Sequence, residues 1–230
     1  MDALSCDSLS VRELNQELRR MASGTSCVVA APRGRHNLAV GLTEDLDIIV
    51  DGNAGYFLGG LGGCGDGTGP TITVAGFVGW SVGENLMGGT IRVRGSASQS
   101  AGSSARGGII VVEGAASLRA GISLKGATLA VAGDVGAMTG FMAQSGTILV
   151  GGNAGHGLGD SLYEAVIYVA GTISSLGADA IVEEMVDDDV LIVKRLVETT
   201  GFDHIDPNRV TKVVSARNLY HFSVDHHGAY

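Results

Sequence analysis

Seven short apolar runs, each closed by a glycine, recur along this chain. They are IIVDG ending at Gly52, ITVAG at Gly76, IRVRG at Gly95, IVVEG at Gly114, LAVAG at Gly133, ILVGG at Gly152 and IYVAG at Gly171. The first interval is 24 residues and the next five are each 19. A fixed period of this kind constrains a fold more than any local propensity, because each unit must pack against copies of itself.

Other positions keep the same phase. Four and two residues before each anchor stand Ile48/Val50, Ile72/Val74, Ile91/Val93, Ile110/Val112, Leu129/Val131, Ile148/Val150 and Ile167/Val169. Spacing by two puts both side chains on one face of a strand. Two residues after the anchor come Ala54, Val78, Ala97, Ala116, Val135, Ala154 and Ile173, and three after comes only Gly or Ser. Gly59, Gly83, Gly102, Gly121, Gly140 and Gly159 recur seven after.

A unit of 19 residues cannot hold a helix, a strand and two loops, but it suits three short strands joined by tight bends. The anchor glycines are then structural corners, where the backbone takes φ > 0 or one coil sits directly on the next. The expected fold is all-β, a right-handed parallel β-helix of about seven 19-residue coils with capping helices at both ends. Three segments follow: an N-terminal capping helix over 1–24, the glycine-rich β-helix over 25–185, and a C-terminal helix and docking tail over 186–230. Ser10 with Glu13 forms a capping box for a helix near 11–22. Residues 28–45 are expected to supply an irregular strand such as NLAVG. Three aspartates from Asp187 open a helix that closes at Gly201.

Composition narrows the function. The formal charge of −9 argues against a nucleic-acid partner. No apolar run is long enough for a membrane span. The first residues lack the basic and apolar regions of a signal peptide, so a cytoplasmic location is expected. Cys6, Cys27 and Cys64 show no C-x-x-C spacing and read as free thiols, not as zinc or iron–sulfur ligands.

No motif for catalysis stands up. GLGGCG, residues 60–65, matches G-x-G-x-x-G, but a strand follows where a dinucleotide site needs a helix. Its loop is expected instead to touch a partner, with Cys64 as a contact. His156 and Asp160 lack a third group to orient the imidazole, and His156 reads as an interface residue. Asp225, His226 and His227 lie together on an extended tail without a second cluster to complete a metal shell. Catalytic, cofactor-binding and metal sites are therefore all expected to be absent. A β-helix that is itself an enzyme needs carboxylates gathered on one sheet, whereas Glu84, Glu113 and Asp134 fall at different phases of the coil. Residues 71–152 carry only eight charged side chains, against 15 in residues 179–230. So bland a surface suits burial against other subunits. The tail, with Tyr220, Phe222 and Tyr230, is expected to dock there too.

The 19-residue coil, the repeated G-x-x-G corners and the tail TGF…KVVSARNLYHF resemble the GXGXG β-helix domain of the glutamate synthase large subunit. The resemblance covers about residues 25–230 and is strongest to the small stand-alone version of that domain, the middle subunit of N-methylglutamate synthase. The same β-helix is similar to the one in formylmethanofuran dehydrogenase-like formyltransferase/hydrolase complexes. The resemblance implies a non-catalytic scaffold in a hetero-oligomer. The implied partners are a glutamine amidotransferase-type subunit and a synthase subunit carrying FMN and an iron–sulfur cluster, between which ammonia or methylamine passes. No catalytic residue carries over to this chain.

Overall fold

The computed structural model describes residues 2–218. The strands are β1 (Asp2–Ser5), β2 (Ser26–Ala30), β3 (Asp47–Asp51), β4 (Thr71–Val74), β5 (Thr90–Val93), β6 (Ile109–Val112), β7 (Lys125–Val131), β8 (Ser145–Val150), β9 (Val166–Val169), β10 (Ala180–Glu183) and β11 (Thr211–Ser215). Among the described residues two helices join them, α1 (Val11–Arg20) and α2 (Asp187–Thr200). These strands lie in one 11-stranded sheet, in the order β1-β2-β3-β4-β5-β6-β7-β8-β9-β11-β10.

From β2 to β9 every pairing is parallel, one strand per coil of a solenoid, and in register apart from a shift between Lys125 and Thr128 at the start of β7. Ile48, Ile72, Ile91, Ile110, Leu129, Ile148 and Ile167 stack in one buried column, and Val50 to Val169 in the next. Burying each such side chain contributes roughly 1.5–3 kcal/mol. A one-residue slip would turn both columns out to solvent, so the register is strongly specified.

The anchor glycines make the close approach possible. The amide of Gly114 donates to the Gly95 carbonyl at 3.0 Å, and Gly133 repeats the bond to Gly114. A Cβ on Gly95 would stand 2.9 Å from the Gly76 carbonyl oxygen. Gly52 alone of the seven takes a positive φ (138°); at the other six, close stacking is what the glycine supplies.

The coil holds fewer strands than the repeat predicts. Its second side shrinks to single-residue bridges, Ala54 to Val78 to Ala97 and onward to Ile173. Its third side is an arc in which alternate residues take positive φ, as in Ser81 (58°), Gly83 (66°) and Asn85 (53°). The alternation turns successive amides up and down the stack: Ser81 donates to Gln99 at 2.8 Å, Gly83 to Leu58 at 2.9 Å and Asn85 to Ser103 at 2.9 Å. Gly and Asn tolerate that backbone best, yet Phe57, Leu61, Arg119, Met138 and several serines also adopt it, each donating its amide to the next coil.

An eighth coil precedes the seven. Cys27 pairs with Ile48 and Val29 with Val50, extending both buried columns. Pro32 replaces the anchor glycine, and the step is 21 residues (27 to 48), so the period conceals it. The NLAVG segment is therefore no strand but this coil's arc, with Asn37, Ala39 and Gly41 at positive φ.

Helix α1 caps the open end. Its capping box is present as Ser10 and Glu13, and Leu14 and Leu18 are buried against the first coil. Asn15 Nδ2 donates to the Asn37 carbonyl at 2.7 Å and Arg19 to that of Val40 at 2.8 Å. In later coils the position of Val40 accepts an amide from the coil before it, as Ser103 does from Asn85. The Arg19 guanidinium thus replaces a coil that does not exist.

Helix α2 does not cap the other end; it lies across the outer face of the sheet. Val111, Ala130, Leu149 and Tyr168 point outward from β6–β9 yet are buried with Val193, Phe202, Ile205 and Val210 in a second core. The first turn of α2 meets β9 where Asp189 bonds Tyr168, and its last carbonyls meet Arg92 of β5. Four strand steps span roughly 19 Å at ~4.8 Å each, and a helix of 14 residues is about 21 Å long. The outward row starts apolar at Val28 and Ile49 and is broken by Thr73 and Arg92. It is apolar in four consecutive strands only from β6 to β9, which is where the helix settles. The end is closed instead by β11, which turns back antiparallel onto β9 and carries β10 on its far side.

Candidate functional site

Three arrangements merit attention. The first is a polar knot between α2 and the sheet. The Tyr168 hydroxyl donates to Asp189 Oδ1 at 2.6 Å, and Lys212 Nζ donates to Asp189 Oδ2 at 2.9 Å. The Val186 amide adds a bond to Asp189 Oδ2 at 3.0 Å, and Glu183 Oε2 lies 2.7 Å from Lys212 Nζ. Burial pushes the Asp189 carboxyl up, but the bonds from Tyr168, Val186 and Lys212 outweigh it and hold the group below its ordinary value. Burial depresses the Lys212 ammonium, and its bonds to Glu183 and Asp189 outweigh that, leaving it raised. Burial and then the Asp189 bond push the Tyr168 phenol up. Both Asp189 oxygens, the Tyr168 hydroxyl and two donor directions of Lys212 are taken within the knot, so it pins α2, with Glu183 half-exposed at its rim.

The second is an exposed aromatic ladder at the fourth residue after successive anchors. His36 stacks on Tyr56 with centroids 4.3 Å apart, and Tyr56 on Trp80 at 5.1 Å. The Tyr56 amide donates to His36 Nδ1 at 2.8 Å, which leaves the ring proton on Nε2. Phe57 and Phe77 are exposed beside it, Phe77 at 60%. Four of the chain's 11 Phe, Trp and Tyr residues (5 + 1 + 5) thus face solvent in two adjacent coils. The signal was in the sequence: Tyr56 and Trp80 share one phase of the repeat. His36 escaped because its coil did.

The third is the outer edge of β10, where Ile181 and Val182 are both exposed. Alternate residues of one strand point to opposite faces, so neither face of β10 is covered.

The residues singled out from sequence do not converge. The seven anchors Gly52, Gly76, Gly95, Gly114, Gly133, Gly152 and Gly171 are spread along the stack. Cys64 is half-buried in the loop that lengthens its coil, its amide donating to the Thr68 carbonyl at 2.7 Å. His156 is exposed, with Nδ1 3.5 Å from Ser175 Oγ. Tyr220, Phe222, Tyr230 and the Asp225–His227 cluster lie outside the described residues. Glu84, Glu113 and Asp134 stay apart; Glu113 is held by Arg92 and Arg94 at 2.9 and 2.7 Å. Among the described residues no three His, Cys, Asp or Glu side chains gather as metal ligands. No helix among them is long and apolar enough to cross a membrane.

No family model matches this chain. Among curated proteins it is similar to Protein GlxC of Rhizobium meliloti (strain 1021), 46% identical over 233 residues that span 100% of both chains. The chain belongs to the GlxC family. End-to-end coverage places the α1 cap, all eight coils and α2 within the GlxC alignment. In this GlxC-family chain the features that stand out from the repeat are thus a closed polar knot and two exposed apolar surfaces.

Proposed function

We propose that the chain is the scaffold subunit of a glutamate-synthase-like complex, with N-methylglutamate synthase as the specific assignment. In that reaction glutamate and methylamine give N-methylglutamate and ammonia. The chemistry belongs to an amidotransferase-type subunit and to a synthase subunit holding FMN and an iron–sulfur cluster. This chain spaces and orients the two, so that ammonia or methylamine passes between them without escaping.

The observation that carries the reading is the separation of two exposed apolar surfaces along one rigid body. The aromatic ladder lies on the first three coils and β10 two strands beyond the eighth. Even the third coil thus stands seven strand steps from β10, or about 34 Å at ~4.8 Å per step. The coils between them stack strand on strand and are sparsely charged. Such a body suits two partners held at a fixed distance.

Reconstitution tests it. The three subunits are co-expressed with and without this chain, and complex mass and methylamine-dependent N-methylglutamate formation are measured. The expected result is a ternary complex that falls apart, with loss of coupled turnover, when the chain is omitted. Full coupled activity in its absence would remove the scaffold role.

A further inference from the structure

We propose that the outer edge of β10 is a docking strand, which receives an extended, basic segment of a partner polypeptide as a twelfth strand of the sheet. This rests on the scaffold reading and names how one partner is held.

Among the described residues β10 is paired on one side only, through β11. Natural edge strands are usually blunted by lysine, proline or a bulge. This one reads Ala-Ile-Val-Glu, with an unbroken register from Ala180↔Ser215 to Glu183↔Lys212. Val182 is 57% exposed and Ile181 42%. Inward of the edge, across the outer faces of β9, β11 and β10, lies a trough of about 470 Å³ lined by Val166, Ile181 and Val214 together with Glu183, Lys212 and Arg217. Ile181 therefore opens onto a concave surface that is part apolar and part charged. Main-chain bonds along such an edge give affinity, and alternate side chains give specificity.

Charge decides the occupant. Glu183, Glu184, Asp187 and Asp188 are all exposed beside the edge, and among the described residues only Glu183 has an ion pair. A second copy, pairing its β10 antiparallel about a two-fold axis, would set Ala180 opposite Glu183 and offer the acidic groups no basic partner from that strand. The chain's own residues 219–230 contain no Lys or Arg. A partner strand alternating apolar with basic residues satisfies both the apolar faces and the acidic rim.

The probe is a short labelled peptide alternating lysine and valine, with a glutamate–valine peptide as control. Binding to the full chain is followed by fluorescence anisotropy and by amide hydrogen exchange. The lysine peptide should bind saturably and slow exchange at residues 181–183. Val182→Lys, at an exposed position that leaves the fold intact, should weaken binding by at least roughly tenfold, whereas Val182→Thr should not. Triple reversal of Glu184, Asp187 and Asp188 to lysine should transfer preference to the glutamate peptide.

Equal binding of both peptides, or protection elsewhere on the chain, overturns the proposal. So does self-association abolished by Val182→Lys, which would make a second copy the occupant. Residues 181–183 that are protected in the free chain and opened by deleting 219–230 would assign the edge to the chain's own tail. The assay needs neither partner enzyme nor turnover, so its failure is distinguishable from failure of the reconstitution.

Discussion

The hydroxyl of Tyr168, on the outer face of the last parallel strand, donates to the buried carboxylate of Asp189 in the first turn of α2 at 2.6 Å. That bond, with Lys212 on the other oxygen, fastens a helix made after all the coils back onto coils made earlier. Asp189 has its folded pKa depressed, so its contribution is present above the unfolded carboxyl value near ~3.9 and is lost as pH falls through the folded value. Lys212 and Tyr168 are both raised, so theirs is complete below about pH 10 and declines as pH climbs toward the folded values. Urea unfolding across pH should show a plateau with loss at both ends. Asp189→Asn should flatten the acid limb, and Asp189→Ala should cost about 3 kcal/mol by leaving Lys212 and Tyr168 short of a partner.

Anchor glycines are expected to be intolerant and loop glycines tolerant. Gly95→Ala places a methyl 2.9 Å from the Gly76 carbonyl oxygen and 3.0 Å from its carbon. Neither is a side-chain end that can swing away. A cost of about 1–3 kcal/mol is expected, read as a melting temperature lower by roughly 2–4 °C per kcal/mol. At Gly65 the same methyl meets nothing within 4 Å, and Gly65→Ala should stay within about 0.5 kcal/mol of wild type.

The repeat made the parallel solenoid legible because phase survives when individual residues vary. Ile91 and Ile110 could be stacked from their numbers alone. What the period concealed lay where the period itself broke. The first coil has Pro32 for glycine and a longer step, so Cys27 and Val29 fell within the expected β-helix without being assigned to a coil. Helix α2 was visible from its aspartates and Gly201, but its resting place depends on Val111, Ala130, Leu149 and Tyr168. These form an outward row whose burial no single coil announces. The antiparallel return of β11 is likewise a tertiary choice, made by Val213 settling into the main core and Lys212 into the knot.

The α1 cap should be the weak point of the N-terminal end. Arg19→Ala removes the donor to the Val40 carbonyl, and Asn15→Ala removes the donor to Asn37. Each should cost about 1–2 kcal/mol, since an end-coil carbonyl loses its partner. Hydrogen exchange should rise first in residues 26–46 while β5–β8 keep their protection. Uniform loss across the stack would argue against a local cap.

Thiol chemistry should report the hidden coil. Cys27 is fully buried in the column above Ile48, and Cys6 is buried as well, its thiol pushed up mainly by that burial. Only Cys64 is partly open. A disulfide reagent at neutral pH should therefore label one thiol quickly and the other two only on unfolding. Fast labelling of Cys27 would dissolve the first coil.

The single tryptophan sits where a partner would be felt. Trp80 is 47% exposed at the end of the ladder begun by His36 and Tyr56. In the free chain it should emit like a solvent-facing indole and be quenched readily by iodide. Covering the ladder removes water from the ring, which shifts emission to the blue and protects it from quenching. Tyr56→Ala deletes the ring that orders it, so quenching should change while the melting temperature moves little, because the side chain lies outside the core. In the reconstituted complex Tyr56→Ala and Phe77→Ala together should weaken one partner by roughly tenfold or more, as expected of aromatic anchors. The partner held at β10 should remain bound. Loss of both partners together would mean that the two surfaces are not independent, and the spacer geometry would lose its basis.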